Sequence, residues 1–278
     1  MSHAESAETQ YIEVGNARIA YRSLGANSSI PLILCQRFRG TMDHWDPAFL
    51  NVLASLRQVV IFDSSGVGQS SGEAGSSIAA MAQVAGQFID ELGFAEVDLL
   101  GWSMGGAISQ SLTLDRPGLV RRLILAGSGP GGVADAPRAP DKVWQIAGKP
   151  ANNDDDFLYL FFTEDDTGRR AGLASLRRLD ERLVASNSAV KPETVKAQVA
   201  AIGAWGQGKG SALPRLHEIS IPVLVGNGTH DIMVHAYNSY VLSQKLADAQ
   251  LILYPKSGHG FLFQYPDLFG RHVLEFLR

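Results

Sequence analysis

A serine between glycines is the residue of this sequence best suited to chemistry. Ser103 lies within residues 101–106, which read Gly-Trp-Ser-Met-Gly-Gly. The apolar segment 97–100 before it is typical of a short buried strand, and the small residues at 105–113 favour a helix. A strand, then Gly-x-Ser-x-Gly, then a helix predicts a nucleophile elbow, in which a sharp turn exposes the serine hydroxyl. Such a strained turn needs flanking positions with almost no side chain, and glycine meets that need.

A serine hydroxyl is a weak nucleophile, so it needs a base, and the base needs an acid that orients it. The sequence offers both after later apolar segments. Asp231 follows segment 222–225, and His259 follows segment 251–254. The carboxyl ends of parallel strands meet at one edge of a sheet, so the three side chains can converge there. The alternative for Asp231 is that it caps its own turn, since turns favour aspartate.

The alternation of apolar segments and helical patterns predicts an α/β fold. Residues 11–14 and 17–22 alternate around Gly15-Asn16, as in a β-hairpin. A helical apolar face spans residues 77–92. Strands separated by helices form a parallel sheet that is covered on both faces. The remaining strand-like segments are 31–35, 59–62, 97–100, 122–126, 222–225 and 251–254.

One long stretch interrupts this alternation. Residues 133–213 contain no convincing strand and carry amphipathic helical patterns. We predict that they form an inserted helical cap above the carboxyl ends of the strands. The core then comprises residues 10–132 and 214–278.

Composition narrows the possible partners. The chain has 278 residues, 45% of them hydrophobic, and a net charge of −4, which suits one large domain or a domain with an insertion. Because it has no basic stripe, polybasic run or long apolar segment, we expect no nucleic-acid or membrane partner. The polar N-terminus lacks the pattern of a secretory signal. We expect a cytoplasmic protein, and the sequence does not indicate its oligomeric state.

Four motifs in chain order resemble the α/β-hydrolase superfamily, in the branch that has a serine nucleophile and a helical cap. They are the segment 101–106, the turn at Asp231, the segment 258–261 (Gly-His-Gly-Phe) and the segment 63–70 (Asp-Ser-Ser-Gly-Val-Gly-Gln-Ser). The last is similar to the family's Asp-x-x-Gly-x-Gly-x-Ser turn after strand four. The resemblance implies a mostly parallel, doubly wound α/β-hydrolase sheet, and it does not extend to the cap.

The resemblance also implies a role for each matched position. Ser103 would attack an acyl carbon, His259 would take its proton and deliver it to the leaving group, and Asp231 would orient the imidazole. The backbone N–H of Met104 would form half of the oxyanion hole. The expected reaction is hydrolysis of a small carboxylic ester or lactone through an acyl-enzyme. Carbon–carbon bond hydrolysis and perhydrolysis use the same triad and remain open, as does a ligand receptor on a hydrolase scaffold.

The loop after the third strand departs from the family. The usual His-Gly pair is replaced by Gln36-Arg37. Counting back from Trp45 places Phe38 at the second oxyanion donor, and a backbone donor does not depend on its side chain. The loop also carries two cations, Arg37 and Arg39. Either they face solvent, or one of them meets an anionic group of the substrate.

Aromatic residues are candidates for the substrate pocket. Residues 157–162 read Phe-Leu-Tyr-Leu-Phe-Phe. We predict that Phe157, Phe161 and Phe162, together with Trp102, wall an apolar pocket above Ser103, as ligand pockets generally require. The alternative is that the run packs within the cap or against the core.

The sequence predicts no metal and no cofactor. The spacing of His230, Asp231 and His235 matches no two-histidine helix motif. The acidic clusters at 154–156 and 164–166 suit helix N-termini better than a calcium loop.

Two other side chains near these motifs have structural interpretations. Cys35 is the only cysteine, which excludes an internal disulfide, and it ends an apolar strand segment. We therefore expect a small buried hydrophobe and not a catalytic thiol. His44 is expected to be structural or to cap its loop.

Overall fold

A central sheet of eight strands positions every candidate residue. The computed structural model describes residues 3–186 and 190–278. The strands lie in the order β1-β2-β4-β3-β5-β6-β7-β8. β1 and β4 each pair with β2 antiparallel, and the remaining pairs are parallel. The predicted α/β-hydrolase fold is therefore confirmed. The strands are β1 Gln10–Val14, β2 Ala17–Leu24, β3 Leu32–Cys35, β4 Val59–Phe62, β5 Val97–Trp102, β6 Val120–Ala126, β7 Val223–Gly228 and β8 Ala249–Tyr254.

Core helices cover both faces of this sheet, which explains why β3 and β4 are apolar at every position. In β3, Leu32 and Leu34 belong to one buried cluster, whereas Ile33 and Cys35 belong to the other. Successive side chains of a strand point to opposite faces, so a strand buried on both faces needs an unbroken apolar run. The core helices are α1 Pro47–Ala54, α2 Ile78–Glu91, α3 Met104–Asp115, α8 Ala236–Lys245, α9 Phe261–Gln264 and α10 Pro266–Phe276.

Four further helices in the described part of the chain lie between β6 and β7. They are α4 Asp141–Ala147, α5 Asp154–Phe161, α6 Asp166–Ser186 and α7 Pro192–Gly206. All four fall within the predicted cap, and residues 187–189 of that range lie outside the described residues. The division into a core and a separate cap domain stays a prediction.

The acidic cluster 154–156 begins α5, as expected. The side chain of Asn153 accepts a hydrogen bond from the Asp156 N–H at 2.9 Å, and the Asp156 carboxylate accepts the Asn153 N–H at 3.2 Å. This reciprocal capping box satisfies two N–H groups that the helix cannot pair internally. Negative charge also suits a helix N-terminus.

The Asp63 turn after β4 supports the loop that follows β3. Gly66 and Gly68 have φ of 71° and 53°, which is a left-handed conformation that glycine adopts easily. The Asp63 carboxylate accepts the N–H groups of Gln69 at 2.8 Å and Met42 at 2.7 Å. One buried carboxylate thereby ties this turn to the segment just beyond the predicted oxyanion loop.

Polar contacts fasten two of the four inserted helices, α6 and α7, to the core. Arg178 in α6 donates to both oxygens of Asp46, at 2.7 and 2.6 Å, and Ser175 donates to the same carboxylate at 2.8 Å. In α7, the Thr194 hydroxyl donates to the Gly66 carbonyl at 2.7 Å. These contacts hold α6 and α7 over the edge of the sheet where the candidate residues lie.

Candidate active site

Ser103 occupies a strained turn between β5 and α3. Its φ is 57° and its ψ is −118°, a conformation that costs about 1–3 kcal/mol for a residue with a side chain. Two hydrogen bonds hold it there. The Ser103 N–H donates to the Ala126 carbonyl at 2.9 Å, and the Ser128 hydroxyl donates to the Ser103 carbonyl at 2.8 Å. The hydroxyl of Ser103 borders a cavity, so the strain exposes it as a nucleophile elbow requires.

The glycines around Ser103 are required by close packing. A Cβ at Gly101 would overlap with the Gly105 carbonyl oxygen, and a Cβ at Gly105 would overlap with the Cys35 carbonyl oxygen. A Cβ at Gly106 would collide with the side chain of Ser128. The elbow is thus pressed against the end of β3, next to the predicted oxyanion loop.

Asp231 and His259 meet in the interior of the protein. Nδ1 of His259 lies 2.7 Å from Oδ2 of Asp231, and both side chains are fully buried. The other carboxylate oxygen accepts the N–H groups of Met233 and Val234 at 2.8 and 2.9 Å. Because the carboxylate needs a donor from the ring, Nδ1 carries the hydrogen and Nε2 is left as an acceptor.

The free nitrogen of His259 has no partner in the described part of the chain. Nε2 is buried and makes no hydrogen bond, and His259 and Ser103 line the same cavity. The described contacts include no hydrogen bond between these two side chains. Catalytic hydrogen bonds are often long without substrate and tighten when it binds. The arrangement therefore leaves an unpaired acceptor on a residue that shares its cavity with Ser103.

Two backbone N–H groups near Ser103 are available to a ligand. Met104 is the first residue of α3, so its N–H has no partner within the helix. The Phe38 N–H makes no hydrogen bond to any described residue. The turn itself is held by Gln36, whose side chain donates to the Thr41 carbonyl at 3.0 Å and accepts the Arg37 N–H at 2.8 Å. These two N–H groups remain the expected donors of an oxyanion hole.

The loss of the family's glycine at position 37 does not disturb this loop. The left-handed residue is Arg39, with φ of 54°, and Arg37 does not adopt a positive φ. The Arg39 guanidinium donates to the carbonyls of Ala147, Lys149 and Pro150 at 2.7–3.0 Å. These carbonyls lie at the end of α4 and just beyond it, where a helix favours positive charge. Arg39 therefore fastens the loop to the end of α4 and to the residues that follow it.

Arg37, in contrast, borders the cavity with Ser103 and His259. Its Cζ lies 4.8 Å from the centre of the Phe161 ring and 5.5 Å from that of Trp102. One N–H group of Nη1 donates to the Phe38 carbonyl at 2.8 Å. Burial and the neighbouring Arg39 lower the pKa of Arg37 to about 9, which still leaves the guanidinium cationic at neutral pH.

The cavity has a volume of about 360 Å³. Phe157 and Phe161 line it as predicted, but Trp102 and Phe162 do not, which corrects the sequence-based expectation. Trp102 is fully buried and lies behind His259, with ring centres 5.8 Å apart. Its Nε1 donates to the His259 carbonyl at 3.2 Å, so it positions the histidine. Phe162 is also buried, against Phe157, because alternate faces of the run point away from the cavity.

Several lining residues were not predicted. Met233 follows Asp231 by two positions, and its place on the acid turn was the available signal. Helix α6 contributes further apolar side chains, and its periodicity shows an apolar face but not what that face covers. These residues are Leu176, Leu179 and Leu183.

The two structural interpretations agree with the contacts. Cys35 is buried, and burial raises the pKa of its thiol to about 12. The ring Nδ1 of His44 pairs with the N–H and hydroxyl of Thr41 at 3.0 and 2.9 Å, which caps the short helix Met42–His44. His44 also borders the cavity.

Asp231 and His235 are hydrogen-bonded to different partners and do not form a shared metal site. Asp231 binds His259, while His235 Nδ1 accepts the Tyr237 N–H at 3.2 Å at the start of α8. Within residues 3–186 and 190–278, no group of three or more His, Cys, Asp or Glu side chains could hold a metal ion. No helix in those ranges combines the length and apolar character needed to cross a membrane.

The chain matches one known protein family over most of its length. Residues 30–266 match the family described as the alpha/beta hydrolase fold. The chain belongs to the alpha/beta hydrolase fold family. This assignment agrees with the sheet order, the elbow at Ser103 and the placement of Asp231 and His259 after later strands.

Two of the similar proteins match nearly the whole chain, and a third matches about two thirds of it. A solved structure of an alpha/beta hydrolase fold protein from Chitinophaga pinensis is 40% identical, covers 99% of both chains and has a TM-score of 0.91. The RutD protein of Azorhizobium caulinodans, which is named as a carbamate hydrolase, is 27% identical over 96% of this chain and 97% of its own. A Burkholderia cepacia protein named 2-hydroxy-6-oxo-6-phenylhexa-2,4-dienoate hydrolase is 28% identical over 68% of this chain and 65% of its own. Both of the last two relatives are named as hydrolases.

Proposed function

We propose that this alpha/beta hydrolase cleaves a small carboxylic ester or lactone through an acyl-enzyme formed on Ser103. The observation that carries the proposal is the shared cavity of Ser103 and His259, with Asp231 behind the histidine. A hydroxyl, an unoccupied imidazole nitrogen and a buried carboxylate are the three parts that an activated serine requires.

The proposed reaction runs in two halves. Ser103 Oγ attacks the carbonyl carbon while His259 Nε2 takes its proton, and the N–H groups of Phe38 and Met104 bind the developing oxyanion. The tetrahedral intermediate collapses, and His259 returns the proton to the leaving alkoxide. Water then attacks the acyl-enzyme with the same base, which releases the acid and restores Ser103. Asp231 stabilises the imidazolium during both halves without taking its proton.

The cavity supports a small substrate. Its volume of about 360 Å³ lies near the lower end of the range for small-molecule pockets. Phe157, Phe161 and the leucines of α5 and α6 provide apolar walls, and Ser103 and His259 add polar groups to the lining. This distribution suits a compact molecule with one reactive carbonyl better than a polymer.

A second candidate function comes from the Burkholderia cepacia relative. The 6-oxo-dienoate in its name contains no ester or amide, so hydrolysis of that compound has to break a carbon–carbon bond. A serine, histidine and aspartate set can serve such a reaction as well. This alternative predicts turnover of a 6-oxodienoate and none of simple esters.

The test is proton release at constant pH on short esters, lactones and a 6-oxodienoate, with Ser103→Ala beside the unaltered protein. Ester or lactone turnover should fall on the order of 10⁶-fold in this variant, as in other serine triads. Ser55→Ala, an exposed serine on α1's C-terminal end, is the matched control and should retain full turnover. Ester turnover that survives in Ser103→Ala contradicts the proposal. Turnover of the 6-oxodienoate alone selects the second candidate.

A further inference from the structure

Arg37 is a cation without a carboxylate partner inside the candidate active site. None of the ion pairs in the described part of the chain includes it. Its one side-chain hydrogen bond goes to the Phe38 carbonyl, and its Nε is buried with no partner. The side chain of Arg37 is partly buried, and an arginine withdrawn from water is usually paired with an acid. The lack of a counter-charge for Arg37 among the described residues therefore requires a physical reason.

Stacking on aromatic rings does not account for this arrangement. A cation–π contact replaces only part of the hydration that a guanidinium loses when it leaves water, and a carboxylate partner normally provides the rest. The rings of Phe161 and Trp102 orient the guanidinium beside the pocket wall. Among the described residues, no ion pair completes the compensation.

Among the described residues near Arg37, no acid takes the place that an external anion could occupy. Two acids line the cavity, Asp154 and Asp180, but both are exposed and neither pairs with Arg37. Arg39, on the same loop, is occupied by the carbonyls at the end of α4. The Ser103 end of the cavity is thus cationic.

His44 can supply a second hydrogen-bond donor at this end. Its Nδ1 accepts the Thr41 N–H, so in the neutral ring the hydrogen is on Nε2. The ring borders the cavity. A neutral donor beside a guanidinium is a combination that favours an anionic oxygen over a neutral one.

We propose that Arg37 binds a carboxylate carried by the substrate, so that the ester or lactone cleaved at Ser103 is an anionic molecule. This inference rests on the proposed function and names its substrate class. The carboxylate is expected on the terminal nitrogens of the guanidinium, because Nε is closed off from solvent. Arg37 is then a specificity-determining residue, and Ser103, His259 and Asp231 carry the chemistry.

The first experiment compares two esters of nearly equal shape. Mono-4-nitrophenyl glutarate carries a carboxylate where 4-nitrophenyl pentanoate carries a methyl group. The unaltered protein should prefer the glutarate in kcat/KM. In Arg37→Gln this preference should fall about tenfold to hundredfold, which is the usual effect of a hydrogen bond to a charged group. The change should lie in KM of the anionic ester, since the contact exists before the transition state.

Two further variants separate local binding from general charge. Arg37→Lys keeps the charge and should restore part of the preference. Lys142→Gln removes an exposed cation of the cap that does not line the cavity and should leave the preference unchanged. A preference that changes less than threefold in Arg37→Gln overturns the proposal. So does an equal loss of kcat on both esters, which would make Arg37 part of the catalytic electrostatics.

The second experiment does not depend on turnover. Titration calorimetry on Ser103→Ala with glutarate and with its neutral diamide should show at least tenfold tighter binding of glutarate. This comparison decides the matter even if Arg37→Gln does not fold, because it needs no change at Arg37. Equal binding of the two compounds overturns the inference while ester turnover would still support the proposed function. Selective glutarate binding without ester or lactone turnover would support anion binding in this cavity and contradict the proposed function.

Discussion

The carboxylate of Asp231 lies 2.7 Å from Nδ1 of His259, 28 residues further along the chain. Neither side chain has any exposed surface. The second oxygen of Asp231 is held by two backbone N–H groups of its own turn. The carboxylate therefore cannot rotate freely, and the imidazole it binds has one defined tautomer and one defined direction.

We expect Asp231→Asn to reduce kcat about 10⁴-fold, because an amide favours the wrong imidazole tautomer. Stopped assays on the best ester, with circular dichroism to confirm folding, measure the effect. Asp267→Asn, on an exposed aspartate of α10, serves as the matched control. A loss below tenfold would mean that another acid orients His259.

The proposed oxyanion hole can be tested by removing one of its backbone N–H groups. Phe38→Pro removes the N–H of the proposed donor and should lower kcat about 10²–10³-fold, which is the usual effect of losing one such donor. Phe38→Ala keeps the N–H and should lose much less. The comparison uses kcat at saturating substrate and thermal unfolding of both variants. Similar losses in two folded variants would show that the Phe38 side chain, and not its N–H, is what matters.

Asp46 should be important for stability because it joins α1 and α6. It caps the start of α1 through the Ala48 N–H at 3.0 Å and binds Arg178 and Ser175 while fully buried. We expect Asp46→Ala to lower the free energy of unfolding by about 2–4 kcal/mol, since a cap and a buried ion pair are lost together.

The matched control for Asp46 is an ion pair on the surface. Asp90 and Arg116 are 47% and 43% exposed, so Asp90→Ala should cost less than about 1 kcal/mol. Urea unfolding of both variants gives the two values. Equal losses would contradict a specific role of the Asp46 contacts.

Acid should destabilise the protein through His44. Burial, followed by the charges of Arg37 and Arg39, lowers the pKa of His44 to about 3. The unfolded chain binds a proton near pH 6.5, where the folded protein does not. Stability from this group is therefore complete above pH 6.5 and is lost as the pH falls toward 3, by at most about 1.4 kcal/mol per unit.

Urea unfolding between pH 7 and pH 4.5 tests this expectation, with His44→Gln as the comparison. The variant lacks the titrating ring but can still accept the Thr41 N–H. Its stability should fall less steeply than that of the unaltered protein. Parallel pH profiles would show that other groups dominate.

Much of the fold followed from local patterns. Six apolar runs and one alternating hairpin pattern predicted the eight strands, and the glycines at 101 and 105 predicted the elbow, because backbone strain and strand burial act within a few residues. The order of Ser103, Asp231 and His259 predicted their convergence, since parallel strands bring their carboxyl ends together. The direction in which individual side chains point was harder to predict from the sequence. Trp102 and Phe162 were expected in the pocket wall and lie behind it.

The sequence by itself determined the sheet, the elbow and the chain order of the three candidate catalytic residues. Only the tertiary structure decided what the two arginines of the loop contact. Arg39 has a left-handed backbone and reaches carbonyls more than 100 residues away, whereas Arg37 lies against Phe161 and borders the cavity. No local rule separates two arginines so close in sequence. The packing of α4 and α5 over the loop separates them. It offers backbone carbonyls to Arg39 and leaves Arg37 without a counter-charge.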